Sequence, residues 1–290
     1  MHWGVLRHKR TANNVKRPIF APLPALTDKS ANSKEGSPLA AQGYMNKMDC
    51  YMDFARIYDG LMAEDIDYGA IADYIEACWA RMGDKPQLVL DLACGTGTLT
   101  TLLAKRGYDM IGVDLSCEML NIAREKDDSI LYLCQDMREF ELYGTVDAIV
   151  CMTDSLNYIT DDADLLQVFR LAKNYLNPGA PFLFDMNSLY KLETILGNNT
   201  YTYDSDSVYY VWENEYDTAA RLCDFYLTFF VAGKDGAYTR FDEHHTQRAY
   251  TLSEVTDALR HAGFCDIQVF GAYGSAAPAP ESERLLYIAR

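Results

Sequence analysis

Two hydrophobic periods alternate along the chain from about residue 69, and together they spell out an ordered series of elements. Residues 69–82 place Ile71, Tyr74, Ile75 and Cys78 on one helical face. The apolar run Leu88-Val-Leu90 predicts a buried strand that ends in Asp91. A turn carrying Gly95 and Gly97 follows, and then a helical segment closed by Lys105, Arg106 and Gly107. Residues 110–114 are a second short apolar strand, again ending in an acid, Asp114. Ser116 then caps a helix with Met119, Leu120 and Ala123 on one face. Residues 130–134, 146–151 and 182–185 read as three more strands. An amphipathic helix over 163–176 lies before the last of them, stopped by Asn177-Pro178-Gly179. Strands alternating with helices predict an α/β fold, a mostly parallel sheet with helices on both faces.

The pattern then changes. Residues 200–204, 208–216, 222–231 and 238–250 read as successive strands with turns at Asp217-Thr218 and Lys234-Asp-Gly236. A four-stranded antiparallel sheet inserted at about 198–250 is expected to rise over the ligand crevice as a lid, as a dimer interface, or as both. Its tyrosines and Trp212 either line a pocket or pack as the inner face of an ordinary sheet. Thr251 and Glu254 form a capping box for a helix that Gly263 ends, and residues 266–270 and 284–289 are the last two strands.

The chemistry sits at the strand ends. A dinucleotide fingerprint needs G-x-G-x-x-G, but the third position here is Thr100. A pyrophosphate is also disfavoured beside Asp91, because like charges repel in a partly dry crevice. A phosphate-free nucleoside with an ammonium suits that carboxylate better, and S-adenosylmethionine (SAM) is such a ligand. The stretch Asp91-Leu-Ala-Cys94-Gly95-Thr96-Gly97 resembles the first motif of the class I SAM-dependent methyltransferases, and the likeness extends over residues 50–290. Bacterial small-molecule methyltransferases of that class are the nearest in character.

The resemblance implies a Rossmann-like seven-stranded sheet whose terminal hairpin makes the final strand antiparallel. It implies that Asp114 meets the ribose hydroxyls and that an acid with an apolar neighbour, Asp136 with Met137, reads the adenine amino group. The cofactor set so implied is Asp91, Cys94, Gly95, Thr96, Gly97, Asp114, Leu115, Met119, Gln135, Asp136, Met137, Met152 and Tyr58. Tyr58 or Tyr51 is expected near the sulfonium, as ring face or hydroxyl, Tyr58 being preferred; the same tyrosines would also serve as a core face.

Methyl transfer is an in-line displacement that needs alignment and exclusion of water more than a diagnostic side chain. An amine acceptor needs little else, whereas a hydroxyl needs a base, for which His244, His245, Asp154 and Asp185 are candidates. His244 and His245 alternate along one strand, so at most one faces the pocket. Asp154, Asp185 and Asn187 resemble the metal site of catechol-type O-methyltransferases, but the spacing departs from it and no metal is expected. An NAD-dependent oxidoreductase and a non-catalytic SAM-binding protein are the competing functions. The first is disfavoured by Thr100 and Asp91.

Composition and charge narrow the partners. The 290-residue chain is 49% hydrophobic and 23% charged, enough to bury a sizeable core. No uninterrupted apolar window is long enough for a membrane span. Net charge is −16, although the first 44 residues carry seven Lys/Arg against two Asp/Glu. So acidic a body would repel a phosphate backbone, which points to a small-molecule methyl acceptor rather than nucleic acid. The first 44 residues lack apolar periodicity and are expected to be a disordered tail. A targeting segment and a start codon upstream of Met45, Met48 or Met52 are the two explanations; residues 45–290 then form the methyltransferase domain. Eight cysteines show no C-x-x-C pair, and several fall inside predicted strands or helices, where a free thiol acts as a small hydrophobe; this favours a reducing compartment, the cytoplasm, and argues against zinc.

Overall fold

The computed structural model describes residues 58–61, 66–233 and 235–290. The expectations for the tail, for Met45, Met48 and Met52 and for Tyr51 lie outside these residues. A helical turn over 58–61 comes before the first full helix, α1 (Tyr68–Met82). Asp67 caps α1 through its side chain, and Gly83 ends it in the left-handed conformation. The alternating units follow as β1 (Leu88–Leu92), α2 (Thr98–Lys105), β2 (Asp109–Asp114), α3 (Cys117–Lys126), β3 (Leu131–Cys134) and β4 (Ala148–Cys151). Next come a 3₁₀ turn (Ser155–Tyr158), α4 (Asp162–Tyr175) and β5 (Phe182–Asn187).

The sheet order is β10-β11-β5-β4-β1-β2-β3, with β5, β4, β1, β2 and β3 parallel. β11 (Arg284–Ala289) runs antiparallel to β5, and β10 (Ile267–Gly271) pairs with β11, so the expected terminal hairpin is present. Alternate residues of the central strands feed the two faces. Val89, Ala148, Val150 and Leu183 join the cluster under α1 and α2, whereas Leu90, Ile149, Phe182 and Phe184 join the cluster under α4 and α5 (Leu252–His261). Both faces of a parallel sheet are thereby covered, and its strands are almost continuously apolar.

β6 (Thr200–Asp204), β7 (Val208–Asp217), β8 (Leu222–Ala232) and β9 (Tyr238–Arg248) form the separate antiparallel sheet, inserted between β5 and α5. Its inner face carries Tyr210, Trp212, Phe225, Leu227 and Phe229, continuous with the core under α1. Trp212 is 2% exposed and packs against Tyr201 and Phe225, so it is a core residue and not a pocket wall. The period-2 alternation carried no information about which inner-face residues would reach the crevice.

Two of the cysteines are not free. Cys117 at the start of α3 and Cys134 at the end of β3 form a disulfide, with Cα atoms 5.5 Å apart. They are 17 positions apart in sequence and meet only because β2 and β3 end side by side. The expectation of a reducing compartment did not foresee this bridge. Cys78, Cys151 and Cys223 are free and buried, where a thiol acts as a small hydrophobe.

Candidate active site

Five parallel strands end at one edge of the large sheet, and the chain crosses to the other side of β1 when it passes from β3 to β4. Such a reversal opens a crevice beyond the strand ends, where open α/β sheets bind ligands. Here it holds a cavity of about 470 Å³. Of the thirteen residues expected around the cofactor, all but Gly97 line it.

The turn after β1 is built from left-handed residues, with φ of 62° at Ala93, 56° at Gly95 and 70° at Gly97. A Cβ on Gly95 would meet nothing within 4 Å, so this glycine leaves open backbone on the cavity. A Cβ on Gly97 would lie 2.7 Å from the Tyr132 hydroxyl and 2.8 Å from Ala123 Cβ. Gly97 therefore permits close packing of α2 against α3 and β3, one step back from the cavity lining.

Asp114 fastens the turn to the end of β2. Its Oδ2 accepts from the Gly95 amide at 2.7 Å, and its Oδ1 accepts from the Ser116 amide at 2.8 Å. Each oxygen keeps a second lone pair, the requirement for holding two ribose hydroxyls. Asp91 is 2% exposed, and its Oδ2 accepts from the Thr100 hydroxyl at 2.5 Å. Thr100 is thus a support for Asp91, a role not foreseen from its place where a dinucleotide fingerprint has glycine.

Burial pushes the Asp91 carboxyl up to about 7, and neighbouring Asp114 adds to the push. Among the described residues no cation pairs with Asp91. A ligand ammonium would supply the missing charge, whereas a pyrophosphate would add to the repulsion. The residues present therefore fit a sulfonium nucleoside with an amino-acid tail. Asp136, by contrast, already has a cation beside it. It lines the cavity beside Gln135 and Met137, but Arg138 Nε donates to both of its oxygens at 3.0 Å and holds its pKa down.

The other half of the cavity is walled by Tyr58, Tyr68, Thr153, Tyr158, Ile159, Thr160 and His245. Burial raises the phenol pKa values of Tyr58, Tyr68 and Tyr158, so these rings stay neutral. The turn carrying Tyr58 is docked on the glycine loop. Asp59 accepts from the Thr96 hydroxyl, and Lys126 Nζ lies 2.6 Å from Asp59 Oδ2. Tyr68, Tyr158 and Thr160 were not foreseen, since each reaches the cavity from an element whose facing depends on tertiary packing.

Among the candidate bases, only His245 lines the cavity. His244 points to the outer face of the inserted sheet, stacked on Tyr226 with Nε2 3.0 Å from Asp224 Oδ1. Asp154 and Asp185 are fully buried behind the cavity wall. Arg284 Nη2 lies 2.7 Å from Asp154 Oδ1, and Arg284 Nη1 lies 2.9 Å from Asp185 Oδ1. Gln247 donates to Asp154 Oδ2 at 2.8 Å, Tyr273 donates to Asp185, and the Asp154 amide donates to Asp185 Oδ1 at 2.6 Å. Burial pushes both carboxyls up, while Arg284 and the nearby buried Lys191 provide two positive charges. Asp154 is accordingly not a free base. A guanidinium sits between the two carboxylates that resembled a metal pair. This network fixes a turn in which Thr153 and Asp154 both have positive φ, 63° and 53°.

A strand-end acid tied to the glycine turn, the lack of a third glycine and a buried carboxylate with no cation beside it among the described residues point to a class: a Rossmann-like fold suited to a phosphate-free, cationic nucleoside. Comparison with known proteins agrees. Residues 89–179 match the methyltransferase domain family. The Bacillus subtilis protein YqeM, named as a methyltransferase, is 35% identical over 83% of this chain and 96% of its own. A crystal structure of an S-adenosylmethionine-dependent methyltransferase from Clostridium acetobutylicum superposes with a TM-score of 0.76 at 38% identity, covering 83% of this chain and 98% of that one. A Streptomyces fradiae dTDP-3-amino-3,6-dideoxy-alpha-D-glucopyranose N,N-dimethyltransferase is 29% identical over 73% of this chain and 83% of its own. The chain belongs to the SAM-dependent methyltransferases, and SAM is its cofactor.

Proposed function

We propose that this enzyme methylates the nitrogen of a small amine held in the tyrosine-walled half of the crevice, a hydroxyl being the second choice. One observation carries the reading: a single cavity joins an acid-and-glycine half suited to SAM to a half walled by neutral tyrosines and an imidazole. Tyrosine rings favour positive charge, and a reacting amine becomes cationic as it gains the methyl group. The cavity is within the size range of small-molecule sites. The relative from Streptomyces fradiae acts, by its name, on an amino sugar, which makes such a sugar a reasonable first acceptor to try.

Asp114 would hold the ribose, Asp91 the ammonium of the amino-acid tail, and Gln135, Asp136 and Met137 the adenine. Tyr58 would cover the sulfonium. Bound SAM supplies the electrophilic methyl; the chain supplies alignment and a dry site, which together can lower the barrier by about 7–11 kcal/mol.

The test is release of S-adenosylhomocysteine (SAH) over a panel of amines, including dTDP-3-amino sugars, beside phenols and carboxylates. An amine is expected to turn over. Tight SAM binding with turnover only of a carboxylate would contradict the reading. The cytoplasm and a homodimer through the insertion belong to the same proposal. Tyr209 and Tyr226 stand exposed on the outer sheet face, and light scattering at a monomer mass would dismiss the dimer.

A further inference from the structure

The Cys117–Cys134 bridge stands on the rim of the cofactor half of the crevice. Cys117 opens α3 directly after Leu115 and Ser116, and Cys134 ends β3 directly before Gln135, Asp136 and Met137. All five of these neighbours line the cavity. The bridge thus clamps together the two segments between which the nucleoside is placed above. Both cysteines are exposed, so a thiol arriving from solvent can reach them.

The elements on either side are held without the bridge. β2 and β3 pair from Ile111–Leu131 to Asp114–Cys134, and the Gln135 amide donates to the Asp114 carbonyl at 3.0 Å. Leu120 and Ala123 pack α3 onto Tyr132. What the bridge adds is local. A disulfide holds two sulfurs far closer than two thiols can approach, so cutting the bond forces them apart. The strand end is fixed by its ladder. The yielding side is the turn at Leu115 and Ser116, where Leu115 is 69% exposed and its carbonyl oxygen lies 3.5 Å from Cys134 Sγ. In that same turn the Ser116 amide donates to Asp114 Oδ1 at 2.8 Å. Movement there reaches the carboxylate assigned to the ribose.

We propose that Cys117–Cys134 is a site of thiol–disulfide exchange with a dithiol reductant, and that its state sets the affinity for SAM. The proposal rests on the cofactor placement above and is independent of the acceptor. A thiolate of the reductant attacks Cys134 Sγ and forms a mixed disulfide with it. The electron pair of the broken S–S bond leaves on Cys117 Sγ, a thiolate favoured by the peptide dipoles at the start of α3. The second thiol of the reductant then attacks the sulfur of the first, which releases Cys134 and closes a cyclic disulfide. The two protons of the dithiol end on Cys117 and Cys134, and two electrons have passed to the protein. Exchange with an oxidised disulfide runs the same steps backwards. The bridged form keeps the nucleoside walls in place, whereas the dithiol form holds that arrangement for only part of the time. Affinity falls by the fraction lost.

Calorimetry with SAM, on bridged protein and on protein treated with dithiothreitol, tests the proposal. Intact-protein mass spectrometry follows the two hydrogens gained when the bond is cut. Reduction is expected to weaken SAM about tenfold, and oxidised glutathione to restore the affinity together with the bridge. Adenosine alone, which lacks the amino-acid tail, is expected to lose the same factor, because the bridge borders only the nucleoside walls. Cys117→Ser is expected to bind SAM as the reduced protein does, whatever the treatment. Equal SAM affinity in both states, with the bond shown to be cut, would overturn the switch and leave the cofactor placement intact. A bond that does not form even under oxidised glutathione would overturn it as well. A loss for SAM without one for adenosine would contradict the proposed route. Failure of SAM to bind in either state would overturn the cofactor placement itself.

Discussion

The two halves of the crevice are assembled in different ways. The cofactor half comes from one continuous stretch, Asp91 to Met137, in which each acid stands at the end of a strand and each glycine in the turn beside it. The half proposed for the acceptor is gathered from Tyr58, Tyr68, Thr153, Tyr158 and His245, spread over nearly two hundred positions. Local chain geometry builds the first, while tertiary packing builds the second. On the proposed reading, a common cofactor is held by a short motif while the acceptor is left to an inserted sheet and a lead-in helix. Between them lies the buried network of Asp154, Asp185, Arg284 and Gln247, which pins the strained turn after β4.

The largest expected effect comes from breaking that network. Arg284→Met would strand two buried carboxylates, and a loss of about 3–5 kcal/mol in unfolding free energy is expected by urea denaturation. A loss below about 1 kcal/mol would show that the two halves do not depend on this link.

Asp114→Ala acts on the cofactor half alone. It removes a carboxylate that accepts from two backbone amides and would meet the ribose. Calorimetry is expected to show SAM affinity falling by about 2–3 kcal/mol, the range for hydrogen bonds to a charged group. Unchanged affinity would mean that the ribose lies elsewhere.

The two glycines offer a finer separation. Gly97→Ala drives a Cβ into Tyr132 and Ala123 and is expected to cost about 1–3 kcal/mol of stability. Gly95→Ala meets open space; its stability cost, from the left-handed backbone alone, is expected near 1 kcal/mol, with the main loss in SAM affinity. The reverse order would exchange the two roles.

The smallest effect is a pH dependence. In the unliganded protein the Asp91 carboxyl is raised from 3.8 to about 7. The folded state therefore binds a proton that the unfolded state has released, and the stability from this group is lost as pH rises from about 4 through 7. A ligand ammonium favours the ionised form, so SAM affinity is expected to rise roughly tenfold between pH 6 and 8, with proton release below pH 7. Asp91→Asn is expected to flatten that rise while weakening binding at pH 8. An unaltered slope in the variant would assign the titration to another group.

Much of this was legible in the sequence, for identifiable reasons. The strand-end acids and the glycine turn followed from short-range periodicity, and so did the Thr251–Glu254 capping box, which the structure shows closed at both hydrogen bonds. Alternation likewise separated His244 from His245, although it could not say which faced inward. The sequence could not separate the two glycines by surroundings, open space at Gly95 and close packing at Gly97. Asp154 looked like a base because its partner Arg284 lies 130 positions away. The same distance problem hid the Cys117–Cys134 bridge, Tyr68 and Tyr158. Trp212 stayed open between the two readings for another reason: an apolar sheet face gives one signal whether it meets core or ligand.

A crystal structure with SAH bound tests the central claim most directly. The account expects both ribose hydroxyls on Asp114, the ammonium of the tail beside Asp91, and the sulfur turned toward Tyr58 and His245. Adenosine seated away from Asp114, with Asp91 facing no positive charge, would contradict it.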